Sequence, residues 1–198
     1  GAELVADLAL AGSVLNSGGT VILHAKPHPT FVSDAVPQDI ETTLDRLASE
    51  STPARQIAAA IRNRTGFAVT THPFWVSPLP FWERPSDLDR DLGNADLLVI
   101  KGDANYRRLL GDSHWDPTTP FADIVRPPAP LVALRTSKAE TIAGLSWEAI
   151  DRVAKVDPGW QTNGQWGVIQ YAPAIGSNVP ESRMRGQNPQ ERRSDDVC

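Results

Sequence analysis

Ala95-Asp96-Leu97-Leu98-Val99-Ile100, followed without a break by Lys101-Gly102-Asp103-Ala104-Asn105-Tyr106-Arg107, is the stretch that decides the fold. The short apolar run reads as a strand buried on both faces, and the switch to Lys, Gly, Asp, Asn and Arg reads as a loop at its carboxyl end. Open α/β sheets place their ligands at that edge. The loop offers cations, a carboxylate, an amide and a glycine that lets backbone approach a bound group, a mixture suited to an anion. A phosphorylated small molecule is the ligand class it points to.

Working outward, the chain alternates strand-like and helix-like segments. Leu4, Leu8, Ala11 and Leu15 lay an apolar stripe along a first helix. Thr20 to Lys26 reads as a strand, introduced by Ser17-Gly18-Gly19 and stopped by Pro27-His28-Pro29. Helical spacing runs from Val36 to Leu47 and from Ala54 to Arg64, Phe67 to Thr71 reads as a short strand, and a short helix starts at Tyr106. Leu131 to Leu134 and Gly167 to Tyr171 complete the strands. This alternation predicts an α/β fold with a mainly parallel sheet covered on both faces. The aromatic, Pro-rich segment from His72 to Pro85 reads as loop, its rings filling core and anchoring the chain.

The 198 residues suffice for one substantial core, so residues 1–177 are expected to form one domain. From Asn178 onward there is little to bury, and 178–198 is expected to be a disordered polar tail. The net charge of −5 and the scattered cations exclude a phosphate-tracking nucleic-acid binder. No apolar run reaches the length of a membrane span. Cys198, alone and terminal, makes no internal disulfide and is compatible with a reducing compartment; a cytoplasmic location is the expectation, with no obligate protein partner evident. The first helix is already running at Gly1, with no secretory signal, so the chain reads as a fragment of a longer one.

Three polar clusters follow strands or their extensions: Phe31-Val32-Ser33-Asp34, the Lys101 to Arg107 loop, and Arg135-Thr136-Ser137-Lys138. Carboxyl ends of parallel strands share one edge, so the clusters can converge. Asp34, Asp103 and Asn105 would supply hard oxygen donors for Mg²⁺ or Mn²⁺, while Lys101, Arg135 and Lys138 would neutralise a phosphoryl group. Each has a plainer reading: Asp34 as a helix cap, Asp103 and Asn105 as turn formers, Arg135 and Lys138 as solvated charges at a strand end. The four histidines show no zinc-site spacing.

Together with His72-Pro73-Phe74-Trp75, these clusters resemble the metal-dependent damage-control phosphatases of the subgroup marked by an Arg-Thr-x-Lys motif, some of them described as protein-glutamate or acidic-residue methyltransferases. The likeness runs from Gly1 to about Tyr171. It implies a three-layer α/β/α Rossmann-like sandwich that hydrolyses small phosphate monoesters such as fructose 1-phosphate or fructose 6-phosphate with Mn²⁺, Mg²⁺ or a similar ion. By position, Asp34 matches the family's metal-binding Asp. Lys101, Gly102, Asp103, Ala104 and Asn105 match its substrate-contacting segment, Lys138 the Lys that holds the phosphate, and Glu3 a glutamate linked to a proposed S-adenosylmethionine site. Asp34 and Lys138 are thus the expected catalytic residues, with Arg135 beside Lys138 at the phosphate. The family's Asp-Asn pair would fall immediately upstream of Gly1, so the chain by itself is expected to be nearly inactive. Two other functions compete: an S-adenosylmethionine-dependent carboxyl methyltransferase, disfavoured because Gly18-Gly19 precede the first strand rather than follow it, and a non-catalytic phosphosugar-binding fragment.

Overall fold

The computed structural model describes residues 2–30 and 34–175. Phe31, Val32 and Ser33 of the first polar cluster, Gly1, and the expected tail at 178–198 lie outside the described residues. The described architecture is mixed α/β, with seven α-helices and two sheets, one parallel and one mixed, and no closed barrel. The chain divides into two compact units, Gly1–Pro78 and Leu79–Cys198.

In the first unit, α1 (Ala2–Asn16), β1 (Val21–Ala25), α2 (Pro37–Ser49), α3 (Thr52–Arg62) and β2 (Phe67–Thr71) follow in order. The two strands pair in parallel, Val21 opposite Phe67 through Ala25 opposite Thr71. The stripe read from sequence is the core: Leu4, Leu8, Ala11 and Leu15 of α1 are buried with Ile40, Leu44 and Leu47 of α2 and Ala58 and Ile61 of α3. Val21, Leu23, Phe67 and Val69 pack against them from one face of the sheet, as the period-2 alternation of strand side chains requires. Proline opens both α2 and α3, where its missing N–H costs nothing. A 3-10 turn over Pro73–Val76 follows β2.

The second unit holds a 3-10 turn at Phe81–Glu83, then α4 (Ser86–Gly93), β3 (Leu98–Lys101), α5 (Asp103–Leu109), α6 (Phe121–Val125), β4 (Leu131–Thr136), α7 (Trp147–Val156) and β5 (Gly167–Ala172). The sheet order is β3-β4-β5. β3 and β4 run parallel, Leu98 opposite Leu131, whereas β5 runs antiparallel to β4, with Thr136 opposite Gly167. Expected burial on both faces is not what the deciding stretch shows. Leu97 is 50% and Val99 43% exposed: residues two apart share one face, and that face of β3 is open while Leu98 on the other is buried. The buried face carries Leu131, Ala133 and Arg135 of β4 with Gln170 and Ala172 of β5.

The helix expected from Tyr106 begins three residues earlier, at Asp103, and the segment expected to be loop from His72 to Pro85 contains both 3-10 turns. Its aromatic rings do fill core: Phe74, Trp75 and Phe81 are buried, while Trp82 stays exposed.

Leu8 is wholly buried among α1, α2 and α3 partners. Leu8→Ala is expected to cost about 2–5 kcal/mol, read as a lowered urea midpoint with unchanged slope. A loss under 0.5 kcal/mol would contradict the packing described.

Candidate functional site

Because β3 and β4 are parallel, their carboxyl ends lie together, and the residues that leave them meet at one edge. The backbone N–H of Gly102 donates to Leu134 O at 2.9 Å, which locks the exit of β3 onto β4. Gly102 has φ of +100°, a conformation glycine adopts without strain, and the chain turns there directly into α5. Asn105 reaches back so that its Nδ2 donates to Lys101 O at 2.7 Å, which ties the first turn of α5 to the strand end.

Asp103 is the pivot of the edge. Its Oδ1 accepts a hydrogen bond from Arg135 Nε at 2.8 Å and a longer one from the backbone N–H of Lys138 at 3.4 Å. The Arg135 side chain is 0% exposed and that of Asp103 18%. The remaining arms of the guanidinium are directed inward: Nη1 donates to Thr141 O at 2.5 Å and Nη2 to Ala139 O at 2.7 Å. Its plane lies over the Tyr106 ring, 4.5 Å from the centroid. Tyr106 in turn donates its hydroxyl to Gln170 Oε1 at 2.6 Å, and Gln170 Nε2 donates to Ala143 O at 2.6 Å. A buried polar network therefore holds the segment from Ala139 to Ala143 against the sheet.

Lys138 stands exposed at the beginning of that segment, whereas Ser137 beside it is fully buried. Lys101, Gly102 and Asn105 are half-buried and Ala104 is exposed. The structure thus brings Lys101, Gly102, Asp103, Ala104, Asn105, Arg135 and Lys138 to one edge of the second unit. Within it, Arg135 directs Nε, Nη1 and Nη2 to protein acceptors, and Asp103 is neither a free turn former nor an open ligand but the counter-charge of Arg135.

Asp34 belongs to the first unit. The plainer reading of it as a helix cap is not realised, since α2 starts after Val36, whose N–H donates to Asp39 Oδ2 at 3.0 Å. Asp34 instead accepts from Thr30 N–H at 3.1 Å, and its Oδ1 lies 3.9 Å from Lys26 Nζ. Lys26 also donates to Trp75 O at 2.6 Å, and Trp75 Nε1 donates to His24 Nδ1 at 3.1 Å. The His72-Pro73-Phe74-Trp75 segment is thereby fastened beside the end of β1. Glu3 lies exposed in the first turn of α1.

For a divalent ion, Asp34 can give one oxygen, but the described donors do not make a coordination shell. Among the described residues no three His, Cys, Asp or Glu side chains form a group that could hold a metal. No helix among them is long and apolar enough to cross a membrane.

The model of the damage-control phosphatase ARMT1-like domain matches residues 1–153, which takes in Asp34, the Lys101 to Asn105 turn, Arg135 and Lys138 but not Gln170. The chain belongs to the ARMT1-like damage-control phosphatase family. Proteins called damage-control phosphatase ARMT1 are similar to it: that of Danio rerio is 36% identical over 184 residues, covering 87% of this chain and 41% of the relative. Those of Mus musculus and Homo sapiens are 34% and 32% identical over 182 residues, covering 86% of this chain and 42% and 41% of their own lengths. The chain spans about two fifths of the length of the curated relatives it matches.

The candidate edge also contains residues that the sequence reading passed over. Tyr106 and Gln170 complete the Arg135 network. Gln170 left a signal, as the one polar residue inside the otherwise apolar Gly167-Val168-Ile169-Gln170-Tyr171-Ala172.

Two outcomes check this network. Asp103→Ala leaves a buried guanidinium without its counter-charge and is expected to cost about 3–5 kcal/mol, seen as a lower melting temperature. Burial pushes the Tyr106 phenol above its ordinary value of 10.0, against the opposing pull of the Ala143 hydrogen bond and of Arg135. Above pH 10 the unfolded chain releases this proton while the folded chain retains it. Stability is therefore whole below pH 10 and falls as pH rises, by up to about 1.4 kcal/mol per pH unit from this group. Tyr106→Phe should flatten that alkaline fall, although it lowers stability at neutral pH; an equally steep fall would contradict the assignment.

Proposed function

We propose that the protein is a metal-dependent phosphatase acting on small phosphorylated metabolites, and that the second unit supplies the edge that holds the phosphoryl group. The observation that carries this reading is the Arg135–Asp103 pair. Its guanidinium is buried and neutralised by a half-buried carboxylate, and that carboxylate faces the backbone N–H of the exposed Lys138 just beyond β4. The backbone that carries this charge is held in advance, which limits what must reorganise when a phosphoryl group binds and so favours electrostatic stabilisation.

In this reading Lys138 holds the phosphate oxygens and Lys101, at the end of β3, adds a second cation. The Gly102 to Asn105 turn lets backbone approach the same group. Arg135 acts by holding Asp103 and the Ala139 to Ala143 segment in place, not by reaching substrate. Asp34 would give one oxygen to a divalent ion such as Mn²⁺ or Mg²⁺, to which the described donors add no shell. Family membership and the names of the relatives support phosphatase chemistry; fructose 1-phosphate and fructose 6-phosphate are the substrates proposed first.

The test is phosphate release from each of the two sugar phosphates in the presence of Mn²⁺, by the protein expressed from its complete gene. Lys138→Ala and Asp34→Ala are each expected to lower kcat/KM by about 10²–10³-fold, the usual consequence of removing one preorganised charge. Release that is undiminished in both variants would overturn the assignment. Binding of fructose 1-phosphate without any turnover would favour a phosphosugar-binding protein instead.

A further inference from the structure

The segment between α7 and β5 reaches the same edge as Lys138 and is built around one carboxylate. Asp157 Oδ2 accepts from Trp166 Nε1 at 2.8 Å and from Asn163 Nδ2 at 2.6 Å, while Oδ1 accepts from the backbone N–H of Gly159 at 2.9 Å. Asn163 then accepts, through its own Oδ1, from the N–H of Gln165 at 3.0 Å. Three donors from three separate residues thus converge on a single side chain. A turn between a helix and a strand needs only one of these contacts, that of Asp157 with Gly159.

Both backbone bonds that this segment sends across to the preceding strand end at one residue. Gly164 N–H donates to Ser137 O at 2.9 Å, and Ser137 N–H donates to Trp166 O at 2.8 Å. Ser137 is the residue immediately before Lys138. It is wholly buried, and its Oγ has no hydrogen-bond partner among the described residues, so it is held here by its main chain. Gly164 has φ of +73°, and a Cβ at that position would stand 3.7 Å from both Cγ and Cε of Lys138. The aliphatic stem of Lys138 therefore runs alongside the loop.

We infer that Asp157 is a positioning residue for Lys138: its carboxylate knots the 157–166 loop, and the loop's paired bonds to Ser137 fix the direction in which Lys138 leaves the chain. On the other side the same backbone is held by Asp103, so the main chain at Lys138 is braced between two carboxylates. The donation by Trp166 and then by Asn163 holds the Asp157 carboxyl below its ordinary value, consistent with a carboxylate that remains ionised in its role. The inference rests on the reading of Lys138 as the phosphate-holding residue.

The experiment is calorimetric titration of the 198-residue chain with inorganic phosphate, for the wild type, Asp157→Ala, Asp157→Asn, Lys138→Ala and the double variant Asp157→Ala/Lys138→Ala, with amide exchange of Ser137 and Gly164 followed in parallel. Asp157→Asn keeps an oxygen for Gly159 but cannot accept from both Asn163 and Trp166. Both Asp157 variants are expected to speed exchange at Ser137 and Gly164 and to weaken phosphate binding about tenfold, on the scale of lost hydrogen bonds to a charged group. In the Lys138→Ala background, Asp157→Ala should weaken it no further, because coupled residues are non-additive. Full affinity in Asp157→Asn, or the same loss from Asp157→Ala with and without Lys138, would overturn the inference and leave the loop a plain connection. If the chain binds no phosphate, or Lys138→Ala binds it as tightly as wild type, the phosphate reading itself falls, and the inference with it.

Discussion

The second unit depends on a guanidinium withdrawn from water. Taking Arg135 to zero exposure is costly unless its charge is balanced and its donors are all satisfied. The chain meets that demand with Asp103 from the start of α5, the carbonyls of Ala139 and Thr141, and the face of Tyr106. The partners come from two separate stretches, α5 and the segment after β4, so satisfying one side chain fixes β4, α5 and that segment relative to one another. The site geometry is a by-product of that requirement: Lys138 is exposed where it is because the residues around it are committed to Arg135.

Much of this was legible beforehand, for physical reasons that differ from element to element. The α1 stripe and the β1 and β2 runs were readable because burial in the first unit follows helix and strand periodicity closely. The switch from Ile100 to Lys101 marked the end of β3 to within one residue. Helix α4 was missed because only Leu88 and Leu92 are buried in a segment otherwise dominated by Asp and Arg. Helix α7 was missed because it has no buried residue at all, although Ser146, whose Oγ accepts from Ala149 N–H, is a readable cap.

The site was legible as a set of positions but not as a set of roles. Residue type and spacing treat Arg135, Lys101 and Lys138 as three equivalent cations, and only the family resemblance singles out Lys138. Only the fold shows that Arg135 faces inward with Asp103 while Lys138 faces out, since alternation along β4 puts Arg135 on the same face as Leu131 and Ala133. Asp34 was similarly visible as a carboxylate, yet its neighbours Thr30 and Lys26, and the tether from Lys26 to Trp75, could not be inferred from spacing. The aromatic segment was assigned to core filling on general grounds, and Trp75 does that while also bonding His24.

The reversed direction of β5 has a topological consequence. In an all-parallel sheet every strand begins at the edge opposite the carboxyl ends, and the loop that leads into it is remote from them. Because β5 runs antiparallel to β4, its first residue, Gly167, lies opposite Thr136. The connection from α7 is thereby delivered to the edge where β3 and β4 end. The reversal of one strand thus turns a connection that would otherwise lie at the far end of the sheet into a third contributor to that edge.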